Sequence, residues 1–327
     1  MTTPILSVRD LTVRYRTKES TVYATEGVSL ELERGKVLAL VGESGAGKTT
    51  TGMSILRLLP QEAEVLSGQV LFDGEDLLTM DERALRTIRG RRIAMIFQDP
   101  VAGLNPVLTV GSQVAEILTN HIQIGKKEAR QRALAILRDV GLSDPERIAK
   151  AYPFQLSGGM SQRVMIGIAT ALNPELIVAD EPTSALDVTI QAQILYQLDQ
   201  LRHERGTSIL LITHDFGVVA QLADDVAVMY GGRIVEHGDV MAMMKAPLHP
   251  YTHALLGTLP RVDGVHTHLK VIPGQAAELS APSEHCPFVP RCTKVLSVCR
   301  AEPPPELAQD AQRRHPVACF NPVWQAE

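Results

Sequence analysis

The sequence predicts an α/β fold in which helices cover a mostly parallel sheet. Short, largely apolar runs at residues 36–41, 176–179, 208–213 and 226–229 have the character of strands buried on both faces. Helical patterns at residues 48–59, 126–140 and 188–201 alternate with them. A break in composition near residue 245 predicts a second, small and irregular domain. All four cysteines, Cys286, Cys292, Cys299 and Cys319, fall in the last 42 residues, and twelve of the twenty prolines fall from Pro247 onward. The expected organisation is a core over residues 1–245, with a helical subdomain at about 99–165, and a C-terminal domain over 246–327.

The composition suits a globular protein. Of 327 residues, 45% are apolar and 21% charged, which supports a sizeable core and excludes a disordered chain. A net charge of −5 gives no basic excess for nucleic acid. Four cysteines are too few for a disulfide-built scaffold. The stretch Met1, Thr2, Thr3, Pro4 lacks the basic and apolar regions of a signal peptide, and no run of about 18 apolar residues occurs. The expected compartment is the cytosol, so any work at a membrane needs other chains to hold the protein there.

The elements follow in order. Residues 5–16 alternate apolar and polar side chains, with Leu11, Val13 and Tyr15 in step, and predict a strand. Residues 27–33 repeat the pattern through Val28, Leu30 and Leu32. The Arg34-Gly35 turn leads into the first buried strand, and the helix after it stops before Pro60. Ala129, Ala133, Leu134 and Leu137 recur at helical spacing, and Gly141 ends that helix. Ile190, Ile194, Leu198 and Leu201 do the same for the next helix, ended by Gly206. The last apolar strand runs into the Gly231-Gly232 turn. Beyond residue 240 the pattern loosens to short helical stretches (251–259) and proline-rich segments, Pro303-Pro304-Pro305 among them. Its core looks too small to stand unaided.

Gly42, Glu43, Ser44, Gly45, Ala46, Gly47, Lys48 and Thr49 fit G-x-x-x-x-G-K-[ST], between a strand and a helix as the chemistry requires. Backbone N–H groups of such a loop converge on phosphate oxygens, aided by the helix N-terminus. Lys48 is expected to reach the β- and γ-phosphates and Thr49 to ligate Mg²⁺, with Thr50 in the same set. The strand at 176–179 delivers Asp180 at its C-terminal end, where ligands sit in open α/β sheets, to complete the metal shell. Glu181 is expected to polarise a water. Gln98 and His214 end two more apolar strands and are expected to sense the γ-phosphate. Leu156, Ser157, Gly158, Gly159 and Met160, ahead of a helix at 160–172, make a second anion-binding helix start.

On these residues the chain resembles, over residues 5–245, the ATP-binding subunit of an ABC transporter. Residues 42–49 match the Walker A motif of P-loop NTPases, 176–180 the Walker B strand, and 156–160 the LSGGQ signature, with Met160 in place of Gln. Gln98 matches the Q-loop, Ser184-Ala185-Leu186-Asp187 the D-loop and His214 the H-loop. Tyr15 matches the adenine-stacking aromatic, with Tyr23 as a weaker candidate. The resemblance implies two ATPase subunits that close head to tail around two ATP molecules, Walker A of one facing the signature of the other. It implies Thr49, Gln98 and Asp180 at Mg²⁺, Glu181 as general base, His214 at the γ-phosphate, and residues 99–165 docking the membrane subunits.

The stretches Phe97-Gln98-Asp99-Pro100, Leu104-Asn105-Pro106, 155–163, 185–191 and His249-Pro250-Tyr251-Thr252 are similar to those of dipeptide and oligopeptide importers. That resemblance implies two transmembrane permease subunits, a second and different ATPase chain, and an extracytoplasmic solute-binding protein. It places the chain peripherally on the cytoplasmic face of the membrane. Nickel and glutathione importers share these motifs. A soluble ABC ATPase acting on nucleic acid is the alternative, supported only by Arg89-Gly90-Arg91-Arg92, which reads as a solvated face, so no nucleic-acid partner is expected. A non-catalytic regulatory cassette is opposed by Lys48, Glu181 and His214.

The cysteine spacing C-x5-C-x6-C-x19-C leaves four readings. Four thiolates can hold a [4Fe–4S] cluster or a structural Zn²⁺, although zinc favours tighter pairs. Disulfides are disfavoured in a reducing compartment. Four unrelated thiols would leave a small domain without a staple. His285 and His315 are possible substitute ligands. The resemblance favours the [4Fe–4S] cluster, since some importer ATPases of this type carry one at such a tail.

Overall fold

The computed structural model describes residues 3–18, 20–184, 186–258, 272–277, 279–305 and 315–323. Its strands are β1 (Leu6–Arg16), β2 (Thr21–Leu32), β3 (Val37–Val41), β4 (Ala63–Phe72), β5 (Glu75–Asp76), β6 (Ile93–Ile96), β7 (Leu176–Asp180), β8 (Ser208–Thr213), β9 (Asp225–Tyr230) and β10 (Arg233–Asp239). Its α-helices are α1 (Lys48–Ile55), α2 (Glu82–Ile88), α3 (Val110–His121), α4 (Lys126–Asp139), α5 (Pro145–Lys150), α6 (Gly158–Thr170), α7 (Val188–Arg205), α8 (Phe216–Leu222), α9 (Val240–Lys245) and α10 (Pro250–Leu256). The chain forms two compact units, one of residues 1–33, 37–78 and 212–327, the other of 34–36 and 79–211.

In the first unit, β1 lies between β2 and β4 in an antiparallel sheet ordered β2-β1-β4-β5. Alternation works as expected: Leu6, Val8, Leu11 and Val13 are buried. A second set runs β10-β9-β3, with β9 parallel to β3 and antiparallel to β10. Every residue of β3 is buried, as a wholly apolar strand demands. The second unit carries β8-β7-β6, with β7 parallel to β6 (Ile96 opposite Ala179). Of the expected stripes, Ala129, Ala133 and Leu137 of α4 and Ile194 and Leu198 of α7 are buried, while Leu134, Ile190 and Leu201 are half-buried.

Several elements depart from their expected bounds. β2 starts at Thr21 rather than at residue 27, running through Gly27 at a φ of 62°. α1 ends at Ile55, well before Pro60, because Arg57 turns left-handed at φ 51°. β4 and β10 arise where no element was expected, and α3 falls within the stretch at about 99–165 that was expected to be helical. β4 is largely exposed, so it lacks an apolar signature. α6 starts at Gly158 and stops at Thr170. Leu259, the expected end of the helix that begins near Tyr251, and Ala185 of the D-loop lie outside the described residues.

The C-terminal region has more core than its composition suggests. Tyr251 and Phe288 join Ala39, Val41, Val226, Val228 and Tyr230 in one buried cluster. The ring centroids of Tyr230 and Tyr251 are 4.6 Å apart, and Phe288 meets both edge-on at 5.1 and 5.4 Å. Such aromatic packing adds to simple burial.

Candidate nucleotide site and cysteine cavity

The glycine-rich loop leaves β3 at Val41 and enters α1 at Lys48. Two of its glycines have no substitute. A Cβ on Gly42 would stand 2.2 Å from Met229 O, and one on Gly47, at φ 103°, 2.1 Å from Ala24 O. Lys48 is buried, and its Nζ donates to Gly42 O at 2.7 Å and Glu43 O at 3.0 Å. The ammonium is thus curled over the loop it serves. Tyr15 Oη lies 3.3 Å from Thr50 Oγ1, which sets this aromatic beside the first turn of α1. Tyr23 is tied differently, its N–H donating to Leu279 O at 2.7 Å.

In the second unit, Asp180 ends β7 and Glu181 follows it, both buried. Glu181 adopts a left-handed φ of 47°, rare for a non-glycine residue and common at functional sites. Its carbonyl accepts from Ser184 N–H at 3.1 Å and Ser184 Oγ at 3.0 Å, which holds that conformation. Gln98 stands two residues beyond β6, the parallel neighbour of β7, and so emerges at the same strand ends as Asp180. Ser157 caps α6, its Oγ accepting from Met160 N–H at 3.3 Å. Gly158 and Gly159 open that helix, and a Cβ on Gly159 would touch Ile190 at 3.4 Å. Asp187 caps α7 through Ile190 N–H at 3.0 Å. In the basic run, Arg89 pairs with Glu82 at 2.7 Å and Arg92 with Glu175 at 2.5 Å. His214, in the first unit, follows β8 and is exposed.

Two residues far along the chain hold the second residue of the loop. Arg291 grips both carboxylate oxygens of Glu43, at 2.6 and 3.0 Å. Tyr251 Oη accepts the Glu43 N–H at 2.9 Å. Burial pushes the Tyr251 phenol far above its usual range, so it stays a neutral acceptor. Tyr251 belongs to the His249-Pro250-Tyr251-Thr252 stretch. Nothing local in the sequence marks either residue as a partner of Glu43, which lies 248 positions from Arg291.

All four cysteines are free and line one cavity with Phe288, Val289 and His249. Lys294 N–H donates to Cys292 Sγ at 3.3 Å and Asn321 N–H to Cys319 Sγ at 3.4 Å. Burial pushes the Cys286 and Cys292 thiols up, and that of Cys319 to about 11. Burial also lowers His249 to about 4, leaving its Nδ1 free of a proton to accept from Tyr251 N–H at 3.0 Å. Among the described residues, no three His, Cys, Asp or Glu side chains are gathered so as to hold a metal ion. The iron–sulfur expectation therefore gains a shared cavity but not an assembled ligand set. His315 is engaged elsewhere, on Glu236 at 2.7 Å.

Comparison with known proteins places this geometry. Residues 25–184 match the family model for ABC transporters, and residues 235–299 the one for the C-terminal region of oligopeptide/dipeptide transporters. A probable peptide ABC transporter ATP-binding protein, y4tR of Sinorhizobium fredii, is 47% identical over 97% of this chain and 95% of its own. The chain belongs to the ABC transporter ATP-binding family. A second relative of this ABC subunit is the dipeptide transport ATP-binding protein DppD of Bacillus subtilis, 46% identical over 99% of this chain and 96% of that one. Among solved structures, the ABC subunit is similar to a dimeric, post-hydrolysis state of the ATP-binding cassette MJ0796 bound to ADP and phosphate. The TM-score is 0.65 at 31% identity, covering 72% of this chain and 98% of that one. The α/β fold expected from the sequence is thus the ABC ATPase cassette. Among the described residues of this ABC subunit, no helix is long and apolar enough to cross a membrane.

Proposed function

We propose that this chain is the ATP-hydrolysing subunit that powers a membrane ABC importer of dipeptides or oligopeptides. The observation that carries the proposal is one chain in which an intact phosphate loop and a C-terminal region of the oligopeptide/dipeptide type are joined. In this reading residues 1–245 are the nucleotide-binding domain, with a helical subdomain at about 99–165 facing two permease subunits. Residues 246–327 form the C-terminal domain. A second, different ATPase chain completes the pair, a solute-binding protein delivers the cargo, and the assembly holds this subunit on the cytoplasmic face of the membrane.

Lys48 and the loop amides bind the phosphates, and Tyr15 stacks on the adenine. Thr49, Gln98 and Asp180 supply the hard oxygen donors that suit Mg²⁺. The ion, when bound with ATP, offsets phosphate charge. Glu181 takes the proton of the attacking water, His214 holds the γ-phosphate, and Ser157, Gly158, Gly159 and Asp187 serve the nucleotide seated on the partner's loop. Positioning and charge stabilisation do most of this work. Peptide-stimulated ATP turnover by the complex with its permeases and binding protein tests the reading. Stimulation by nickel or glutathione alone would assign a different cargo.

The cysteine cavity is given a [4Fe–4S] cluster on Cys286, Cys292, Cys299 and Cys319. Four free thiols on one cavity and two backbone N–H···S contacts support it. Zinc on the same four thiolates is the alternative, although zinc favours C-x2–4-C pairs tighter than this spacing. Iron and sulfide analysis after anaerobic purification tests this, and a colourless protein with stoichiometric zinc would overturn it.

A further inference from the structure

Glu43 puts a charge in the phosphate loop. It is the second residue of a loop built to receive a triphosphate, yet it carries a negative charge. Its carboxylate has the same sign as the phosphates, so unpaired it would oppose their binding. The structure deals with that charge through the C-terminal region.

Arg291 lies on a single 3-10 turn, Val289–Arg291, and its side chain is 5% exposed. Its fork meets the Glu43 carboxylate with Nη1 on Oε2 at 2.6 Å and Nη2 on Oε1 at 3.0 Å. This bidentate geometry is the strong form of the ion pair. The guanidinium is itself fixed. Nε donates to Pro273 O at 2.8 Å, Nη2 to Ile272 O at 3.3 Å, and the cation lies 5.8 Å from the centre of the Tyr230 ring. From the other side Tyr251 Oη holds the Glu43 N–H at 2.9 Å. Side chain and backbone of one loop residue are therefore both held by residues beyond position 245.

We infer that Arg291, with Tyr251, is a positioning residue for nucleotide binding: it neutralises Glu43 and fixes the phosphate loop, so the C-terminal region sets the affinity for ATP. The inference rests on the proposed ATP site. Arg291 directly precedes Cys292, so the turn that grips the loop also leads into the cysteine cavity. The two features are one structural unit, and the loop arrives preorganised for an anion.

Mg-ATP binding to the full-length chain, followed by titration calorimetry, tests the inference. Arg291→Met leaves Glu43 charged and unpaired and should weaken binding roughly 5- to 20-fold, the range of ordinary coupling between sites. The loss should shrink at high salt, since it is a repulsion. Adding Glu43→Gln to that variant should recover most of the affinity, which a purely structural role for Arg291 would not allow. Arg291→Lys should fall between. Wild-type affinity in Arg291→Met, or a double variant as weak as the single, overturns the inference. If Arg291→Met does not fold, Arg291→Lys and Tyr251→Phe carry the test. Each removes hydrogen bonds to Glu43 and should cost about threefold or more in affinity, and unchanged binding in both overturns it. Failure of the wild-type chain to bind Mg-ATP would instead sink the reading of the loop.

Discussion

His315 Nε2 lies 2.7 Å from Oε1 of Glu236, and Glu236 is fully buried on β10. The same carboxylate accepts Leu248 N–H at 2.6 Å and His249 N–H at 2.9 Å. One buried charge thus gathers β10, the entry to α10 and a distant stretch of the tail. Such a carboxylate is tolerable only because its partners surround it.

A pH dependence follows. Burial opposes ionisation of Glu236, but His315, the Thr252 hydroxyl and the two backbone N–H groups more than offset it and hold the carboxyl below its usual range. A depressed folded-state value means that the contribution is fully present above the unfolded pKa, about 4.3, and lost as pH falls through the folded value. Thermal unfolding should therefore lose stability below about pH 4, and Glu236→Ala should lose that acid dependence. The variant should also be less stable by about 3 kcal/mol at neutral pH, because it leaves His315 and the Leu248 and His249 N–H groups without their acceptor. An unchanged acid limb would show that other carboxylates govern it.

Glu181→Gln should bind ATP with near-normal affinity while turnover in the assembled transporter falls about 100-fold or more. The amide keeps the size and the left-handed backbone held by Ser184. It cannot accept the proton of a water. Single-turnover hydrolysis beside equilibrium binding separates the two effects, and near-normal turnover would remove Glu181 from its role.

What the sequence made legible is local. The phosphate loop, Asp180 and Glu181, and the capped start at Ser157 each lie within a few residues of the strand or helix that positions them. Chain connectivity alone places each of those parts on its own strand or helix. Glu43 and Arg291, or Glu236 and His315, meet only after folding, across 248 and 79 positions, and no periodicity encodes such a meeting. β10 stayed hidden for a related reason. Its run Arg-Ile-Val-Glu-His-Gly-Asp looks polar and solvated, yet Glu236 within it is buried because the fold supplies its partners. The C-terminal core was likewise underestimated, since Tyr251 and Phe288 bury themselves against β3 and β9 rather than within their own segment.

Two glycines of the loop should respond differently to alanine. At Gly47 a Cβ would stand 2.1 Å from Ala24 O and 2.6 Å from Met229 Cε, so the backbone must move. At Gly45, φ is 82° but nothing lies within 4 Å of a Cβ. Gly45→Ala should cost only the left-handed strain, about 1–2 kcal/mol. Gly47→Ala should add the clash and abolish Mg-ATP binding. Chemical denaturation and nucleotide titration of both variants check the contrast, and equal behaviour would mean that the close contact with Ala24 is relieved at little cost.

Ser157 serves two functions that substitution can separate. Its Oγ accepts the Met160 N–H and caps α6, and in the proposed assembly the same hydroxyl faces the partner's γ-phosphate. Ser157→Ala should lose the cap, at about 1 kcal/mol of stability, together with cooperative ATP turnover. Ser157→Asp should keep the cap, because a carboxylate accepts the same N–H and suits the positive end of the helix. It should nevertheless abolish turnover in the assembled transporter by opposing the phosphate charge. Wild-type stability with lost turnover in Ser157→Asp assigns the hydroxyl to the nucleotide. Retained turnover would leave it as a cap and nothing more.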